Sequence, residues 1–418
     1  MKHALFLGFL LAASLFAWQG HDNLAGYPTI AFDHPAIRYM DADPNDPVSR
    51  FNAKLAKGSA KLDYQTGLGY LPSLLKALEI SPESQMLVYS KTSFQPTKIS
   101  PRKPRAIFFS DDVAIAVVQG GQVFEVMALD PVLGYVFYTL DFAKTARPEF
   151  DRRGLDCLQC HLGPATISVP GLMVSSAVVT PDGSRSGRVP NILTDQRTPL
   201  ANRWGGWYVT GTHGAQTHNG NAFATDPSMP EKLDRSRSLN VTSLADRVDL
   251  SNYVASSSDL VALMTLEHQG TMTNLLLRIG WEARMAQEEK KDLGARLDEM
   301  VDDLIPYMTF GNEAQLQEPV KGVSTFAKTF ADRGPRDPKG RGLRDFDLTR
   351  RLFRYPVSYM IYSATLDSLP TKARERIYRK LYDVLTGPKE IARFTKEERQ
   401  AAVEIVHATK SNLPDYWK

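Results

Sequence analysis

The only two cysteines of this 418-residue chain stand close together and directly before a histidine. They are Cys157 and Cys160 in the stretch GLDCLQCHLGP, and His161 follows at once. A C-x-x-C-H sequence is typical of covalent haem attachment, in which the thiols add to the two vinyl groups and the histidine binds the iron. The spacing lets one turn of chain lie against the porphyrin edge. The sequence therefore predicts one covalent haem with His161 as the proximal ligand.

Three other uses of this motif remain open. A redox dithiol normally opens a helix after a strand of a βαβ unit, and RPEFDRRGLD, ahead of Cys157, does not resemble a buried parallel strand. A zinc site would be one ligand short of a tetrahedron, because the chain has no second C-x-x-C. A disulfide between the two cysteines would close a very short, strained loop. These features favour haem over the three alternatives.

In these residues the chain resembles the c-type cytochromes. Pro164 and VPGL at 169–172 are similar to the Gly/Pro-rich segment that follows the haem motif in that family. The resemblance implies that a proline carbonyl accepts a hydrogen bond from the second nitrogen of the proximal histidine, a bond that orients the ring. Pro170 is the predicted partner, and Pro164 is the second choice. The flanking regions resemble large, exported, single-haem bacterial proteins, which imply no substrate.

The sixth iron ligand is expected among the remaining histidines and methionines. His268 is centred on an apolar helical stripe, where Met264 and Met272 flank it at four-residue spacing. It is the first candidate, and the alternative is a core histidine hydrogen-bonded to a carbonyl or carboxylate. The rivals are His213 and His218 in the glycine-rich stretch GTHGAQTHNGN, where the backbone is able to approach a cofactor closely.

Charged and aromatic side chains downstream of the motif offer further contacts with a haem. Guanidinium groups match the haem propionates, although arginines are also ordinary surface residues. The candidates are Arg185, Arg188, Arg197 and Arg203. Trp204, Trp207 and Tyr208 are expected either to cover a haem edge or to anchor a strand in the core.

The first 20 residues predict export. Lys2 is followed by an apolar run from Ala4 to about Ala17, which is typical of a secretory signal peptide, with a retained anchor as the alternative. No later stretch has the length and apolarity of a membrane span. The net charge of +3 favours neither nucleic acid nor an anionic membrane. We therefore expect a soluble periplasmic protein, which agrees with haem attachment outside the bacterial cytoplasm.

The fold class expected is α+β, arranged in three regions after the signal peptide (1–20). A mixed region (21–150) contains a helix at 71–80 and an antiparallel meander at 106–141. A loop-rich haem segment (151–240) includes GGWYVTGTHG as a short strand, and a helical half (241–418) follows. Its helices are predicted at 258–287, 289–308, 346–367, 371–386 and 395–410. The loop DRGPRDPKGRGL (332–343) is expected to be exposed and mobile.

One haem stores one electron, so electron transfer with a redox partner protein is the first functional hypothesis. A haem enzyme is the second, because an open sixth position would admit peroxide or another small molecule. A structural or sensory module stapled by the haem is the third. Two strong axial ligands would give low-spin haem and a vacant position high-spin haem, so the optical spectrum separates these hypotheses.

Overall fold

The computed structural model describes residues 27–226, 228–229 and 231–417. The predicted signal peptide lies outside the described residues. The chain forms an antiparallel sheet in its N-terminal half and packs most of its helices in its C-terminal half, which confirms the α+β class.

The N-terminal half is built around a six-stranded antiparallel sheet in which each strand pairs with its neighbour in sequence. The strands are β1 (Met86–Val88), β2 (Arg105–Phe109), β3 (Val113–Val117), β4 (Val123–Asp130), β5 (Gly134–Asp141) and β6 (Phe150–Arg153). The predicted meander is therefore correct, with one additional strand at each edge. These edge strands are three and four residues long, too short for a clear alternating pattern.

The two sides of this sheet differ in burial. On one side Phe108, Phe124 and Tyr138 are fully buried, and they face α1 (Pro47–Ala56) and α2 (Leu71–Ala77). On the other side the alternate residues of β2 and β4 are only half-buried. We call this second side the open face; its residues include Ile107, Ala116, Glu125, Met127 and Phe137.

The middle of the chain is rich in loops, as predicted. A short helix, α3 (Leu155–His161), contains the cysteine motif. The strands that follow are β7 (Val174–Ser176), β8 (Ile192–Thr194), β9 (Gly211–Thr212), β10 (Phe223–Ala224) and β11 (Leu233–Asp234). The strand expected within GGWYVTGTHG is β9, and its partner is β12 (Lys321–Gly322) in the helical half.

The C-terminal half packs its helices around one long central helix. The helices are α4 (Leu260–Glu288), α5 (Ala295–Met308), α6 (Phe326–Asp332), α7 (Ala364–Asp367), α8 (Thr371–Thr386) and α9 (Lys396–Thr409). The central one is α4, which contacts α5, α6, α7 and α8. Asp259 caps it by accepting a hydrogen bond from the amide of Val261. The predictions for α4, α8 and α9 are correct to within about two residues.

Two helix predictions need correction. The helix expected at 289–308 begins only at Ala295, because Lys290 and Gly294 have φ values of 55° and 45°, outside the helical region. The helix expected at 346–367 is wrong. Its first part is irregular: the buried Arg351 side chain donates to the carbonyls of Phe353, Arg354 and Arg393. Only a 3₁₀ turn (Tyr359–Tyr362) and α7 are helical there.

The arginine-rich loop at 332–343 is exposed at most of its positions, as predicted. It is nevertheless held by ion pairs. Arg341 pairs with Asp337 and with Glu404 of α9 at 2.6 Å each, and Lys339 also reaches Glu404 at 2.9 Å. Asp337 is buried and accepts hydrogen bonds from the amides of Lys339 and Arg341. The sequence did not predict these ion pairs, and the mobility of the loop stays a prediction.

One continuous hydrophobic core joins the three regions: Phe108 of the sheet, Val169 of the middle segment and Leu263 of α4 all belong to it. In the part of the chain that the structure describes, no helix combines the length and the apolarity needed to cross a bilayer.

Candidate functional site

The cysteine motif lies on a surface helix that follows the edge of the sheet directly. Only Gly154 separates β6 from α3. Arg153 forms an ion pair with Asp156 in the first turn of the helix. Cys157 is half-buried, Cys160 is exposed, and both are free thiols. Both thiols of the motif are thus accessible, and they lie on a helix of about two turns.

His161, the last residue of α3, is held at one ring nitrogen and has no hydrogen-bond partner among the described residues at the other. Its Nδ1 lies 2.9 Å from the carbonyl oxygen of Gly171, so Nδ1 carries the proton and donates it. Its ring packs against Phe137 of the open face, with ring centroids 4.9 Å apart. None of the described residues hydrogen-bonds to Nε2. Burial lowers the pKa of His161, so the imidazole is neutral and its Nε2 lone pair is available to a metal.

The carbonyl that orients His161 belongs to Gly171. The prediction that Pro170 supplies this carbonyl is wrong. The Pro170 carbonyl instead accepts a hydrogen bond from the amide of Tyr135 at 2.9 Å. Pro164, the second choice, is exposed and begins a 3₁₀ turn. Both prolines therefore help to shape the segment, and the following glycine supplies the acceptor.

The segment around Gly171 is clamped between the sheet and the central helix. Asn274 of α4 accepts from the amide of Leu172 at 3.1 Å and donates to its carbonyl at 2.8 Å. A Cβ atom on Gly171 would lie 2.3 Å from Oδ1 of Asn274, so only glycine fits there. Since Tyr135 holds the other side, the acceptor of the His161 proton has a fixed position.

The chemistry of the thiols bears on the alternatives to haem. Burial, with the charge of Asp156 second, raises the pKa of Cys157 to about 11. A redox dithiol needs a cysteine with a lowered pKa, so this environment does not suit one. Across residues 27–226, 228–229 and 231–417, no group of three or more His, Cys, Asp or Glu side chains is arranged to hold a metal ion. A zinc site on CLQCH finds no additional protein ligands there.

His268 has the environment of a core histidine. Its Nδ1 lies 2.5 Å from Oε1 of Gln196 and its Nε2 lies 2.7 Å from Oγ of Ser358, so both nitrogens are occupied. Its ring is stacked on that of Tyr307. Asn274, which meets the motif segment, is six residues further along α4 and therefore on a different side of the helix. The candidate role of His268 as the sixth ligand is accordingly replaced by the core alternative.

The rival histidines form a buried pair within the middle segment. The rings of His213 and His218 are 4.8 Å apart, and Trp204 packs edge-on against His218. Nε2 of His213 accepts a hydrogen bond from the amide of Asn240. Burial lowers the pKa of both histidines, to about 3 for His218. The structure brings these two residues together, and their hydrogen bonds and ring contacts within the described residues involve Asn240 and Trp204 and not α3.

Two of the arginines proposed for haem propionates already have carboxylate partners. Arg197 pairs with Asp195 at 2.5 Å, and Arg203 makes a buried pair with Glu267 at 2.8 Å. Arg185 and Arg188 are exposed in the loop before β8. The three aromatic candidates are core residues, with exposed fractions of 7% or less: Trp204, Trp207 and Tyr208.

Sequence reasoning missed the residues that surround the motif in space. Large apolar side chains are exposed beside it: Leu155 by 64%, Phe94 by 56% and Met40 by 42%. A Cβ atom on Gly154 would lie 2.7 Å from Cε of Met40, and the Arg153 guanidinium lies over the Phe94 ring. Met40 and Phe94 are far from the motif in sequence, so no local pattern identifies them.

Comparisons with protein-family models, with curated proteins and with solved structures found no match to this chain. The functional interpretation therefore depends on the motif and on the geometry around it.

Proposed function

We propose that this chain is an exported protein that carries one covalent haem on Cys157 and Cys160, with His161 as the proximal ligand, and that it transfers electrons in the periplasm. The observation that carries the proposal is the state of His161. Its Nδ1 proton is bound by the Gly171 carbonyl, while no described residue occupies Nε2. A histidine in a C-x-x-C-H motif needs this arrangement to bind iron through Nε2.

The residues of the site fit this cofactor. The two thiols are free and accessible, and the imidazole is neutral and held in place. When bound, a c-type haem supplies one-electron chemistry between Fe(III) and Fe(II). The hydrogen bond to Gly171 makes Nε2 of His161 a more basic ligand and fixes the ring orientation. Phe137, packed against the ring, excludes water from one side of the imidazole.

The position of the motif at the surface supports electron transfer. Leu155 and Cys160 are exposed on α3, so the bonded edge of a haem would lie near solvent. A redox partner is able to approach such an edge closely, and Leu155, Phe94 and Met40 provide an apolar surface for contact. Exposed apolar clusters of this kind are common at protein–protein contacts.

The first experiment tests covalent attachment in the full chain, exported from a bacterium that can attach c-type haem. We expect a pyridine haemochrome spectrum with one haem per chain and colour that stays on the polypeptide after acid–acetone extraction. The double variant Cys157→Ala/Cys160→Ala should lose the haem. Gln159→Ala, an exposed change between the two cysteines, should retain it. Extractable haem, or no iron, in the unmodified protein would refute the proposal.

A second measurement separates electron transfer from catalysis. For an electron-transfer protein we expect a reversible one-electron titration without turnover of peroxide. A high-spin spectrum together with peroxide turnover would instead favour the haem-enzyme hypothesis, which has the same covalent attachment and a vacant sixth position.

A further inference from the structure

The open face of the sheet is apolar and yet incompletely covered. Along β4 the side chains alternate between half-buried (Val123, Glu125, Met127) and fully buried, and β2 shows the same alternation. The half-buried positions of these strands include Ile107 and Met127. A partly exposed apolar surface on a folded protein commonly marks a binding site.

Small side chains keep the middle of this face low. Ala116 of β3 lies between its cross-strand partners Ile107 of β2 and Glu125 of β4. Ala114, two residues earlier, lies beside Met127. Paired residues on neighbouring strands point to the same side of a sheet. Ala114 and Ala116 are themselves buried, with exposed fractions of 8% and 9%, whereas Ile107 and Met127 beside them are half-buried. We infer that a flat ligand would lie over the small side chains and contact the larger ones on either side.

The last residue of the motif helix lies on the same face. The ring of His161 packs on Phe137, and Phe137 is the register partner of both Met127 of β4 and Arg153 of β6. The imidazole ring of His161 therefore lies on the open face, beside Phe137.

A charge pair stands on this face, and only its carboxylate is fully satisfied. Glu125 accepts from Arg105 at 3.1 Å, from Oγ of Ser93 at 2.6 Å and from Nε2 of Gln95 at 3.2 Å. Nε of Arg105 is buried and has no partner among the described residues. A buried donor without a partner costs about 1–3 kcal/mol, so an additional acceptor is expected beside Arg105. A guanidinium matches a carboxylate in two-point geometry.

We propose that the haem macrocycle covers the open face of the sheet and that Arg105 donates to one of its propionates. This inference rests on the proposed function and extends it, because it assigns the cofactor a β-sheet surface and a charged partner. Arg105 replaces the four arginines after the motif as the propionate partner. The charge of Arg105 also favours the reduced state of the iron, which carries one electron more.

The first test fills the open face. In Ala116→Phe a large ring occupies the centre of the surface, whereas Val117→Phe places the same ring on the next residue of β3, on the opposite side of the sheet. The full chain is exported in both forms, and the haem-to-protein ratio and the melting temperature are measured. We expect at least a tenfold loss of haem in Ala116→Phe and little loss in Val117→Phe. Full haem content in a folded Ala116→Phe protein would overturn the inference.

The second test changes charge and leaves the surface in place, so it remains decisive if Ala116→Phe fails to fold. Arg105→Gln should retain covalent haem but bind an electron about tenfold less favourably, a drop of about 59 mV for a one-electron couple. Arg105→Lys should restore most of the potential, and Arg185→Gln in the exposed loop should leave it unchanged. An unchanged potential in Arg105→Gln would overturn the role of Arg105.

The proposed function and the placement of the macrocycle are tested separately. If the unmodified protein contains no covalent haem, the proposed function fails first. If it contains haem and both Ala116→Phe and Arg105→Gln behave like the unmodified protein, attachment at CLQCH stands and the macrocycle lies elsewhere.

Discussion

His161 and His268 illustrate how hydrogen bonding decides the role of a histidine. His161 and His268 both have lowered pKa values caused by burial. One ring nitrogen of His161 is unpartnered within the described residues, whereas His268 uses both of its nitrogens. An iron ligand needs a nitrogen that the protein does not occupy, so only the first has the chemistry of a ligand.

We predict that His268→Ala lowers stability and leaves the haem spectrum unchanged. The change leaves Gln196 and Ser358 without their buried partner and opens a cavity beside Tyr307. Each unpaired buried group costs about 1–3 kcal/mol, so the melting temperature should fall by several degrees. Optical spectroscopy and thermal melting of the haem-loaded protein check this. A conversion from low-spin to high-spin haem would show that His268 is a ligand after all.

A buried glutamate predicts how stability depends on pH. Burial raises the pKa of Glu313 to about 7, above its ordinary value of 4.5, although Arg393, Arg203 and Arg351 oppose the shift. Between pH 4.5 and 7 the folded state binds more protons at this site than the unfolded state. The stabilising contribution is therefore fully present below pH 4.5 and is lost as the pH rises through 7.

Glu313→Gln should remove that loss. The amide resembles the protonated acid, and its carbonyl oxygen is able to keep the hydrogen bond from the amide of Leu352. We expect the variant to gain melting temperature relative to the unmodified protein at pH 8, and to gain little at pH 4.5. Melting curves of both proteins across this range provide the measurement. Equal differences at the two pH values would mean that Glu313 titrates normally.

At the scale of elements, the sequence predicted those helices and strands that are determined by the pattern of neighbouring residues. The strands β2 to β5 have β-branched and aromatic residues between turn residues, and α4 has a long apolar stripe, so both were predicted. The helix at 346–367 failed because Arg351 is buried by contacts distant in sequence, including its pair with Glu398 at 2.5 Å. Pro356 also disfavours a helical conformation at Tyr355.

In the candidate site, too, local sequence identifies some residues, whereas contacts distant in sequence determine others. Cys157, Cys160 and His161 were identified from the sequence because they lie within one contiguous motif. The choice of Pro170 over Gly171 failed because Asn274, about a hundred residues away along α4, decides which carbonyl faces the ring. The strand β4 was predicted, but the packing of other elements decides which of its sides stays partly exposed.

The clamped segment leads to a prediction with a matched control. Gly171→Ala places a methyl group in conflict with Asn274 and should displace the carbonyl that orients His161. Gly163→Ala, in the same segment, meets no atom within 4 Å. We expect Gly171→Ala to lower both haem content and reduction potential, because Nε2 becomes a poorer ligand without the Nδ1 bond, and Gly163→Ala to change neither. Equal behaviour of the two variants would refute the clamp.

At the scale of the whole molecule, the sheet and the helices depend on each other through the motif segment. Tyr135 of β5 holds Pro170, Asn274 of α4 holds Leu172, and both bonds fix the segment that positions His161. The hydrophobic core continues across all three regions. The boundaries predicted at 150 and 240 therefore fall within a connected core, and attachment of a haem at CLQCH would add a covalent link to the same junction.

We predict that this connected core unfolds in a single cooperative transition. Fluorescence reports on the helical half and the middle segment, where the buried tryptophans Trp204, Trp207, Trp281 and Trp417 lie. Haem absorbance reports on the junction with the sheet. In thermal melts the two signals should share one midpoint, since neither part buries its apolar surface without the other. Two separated midpoints would instead show that the sheet with its motif and the helical half are independent domains.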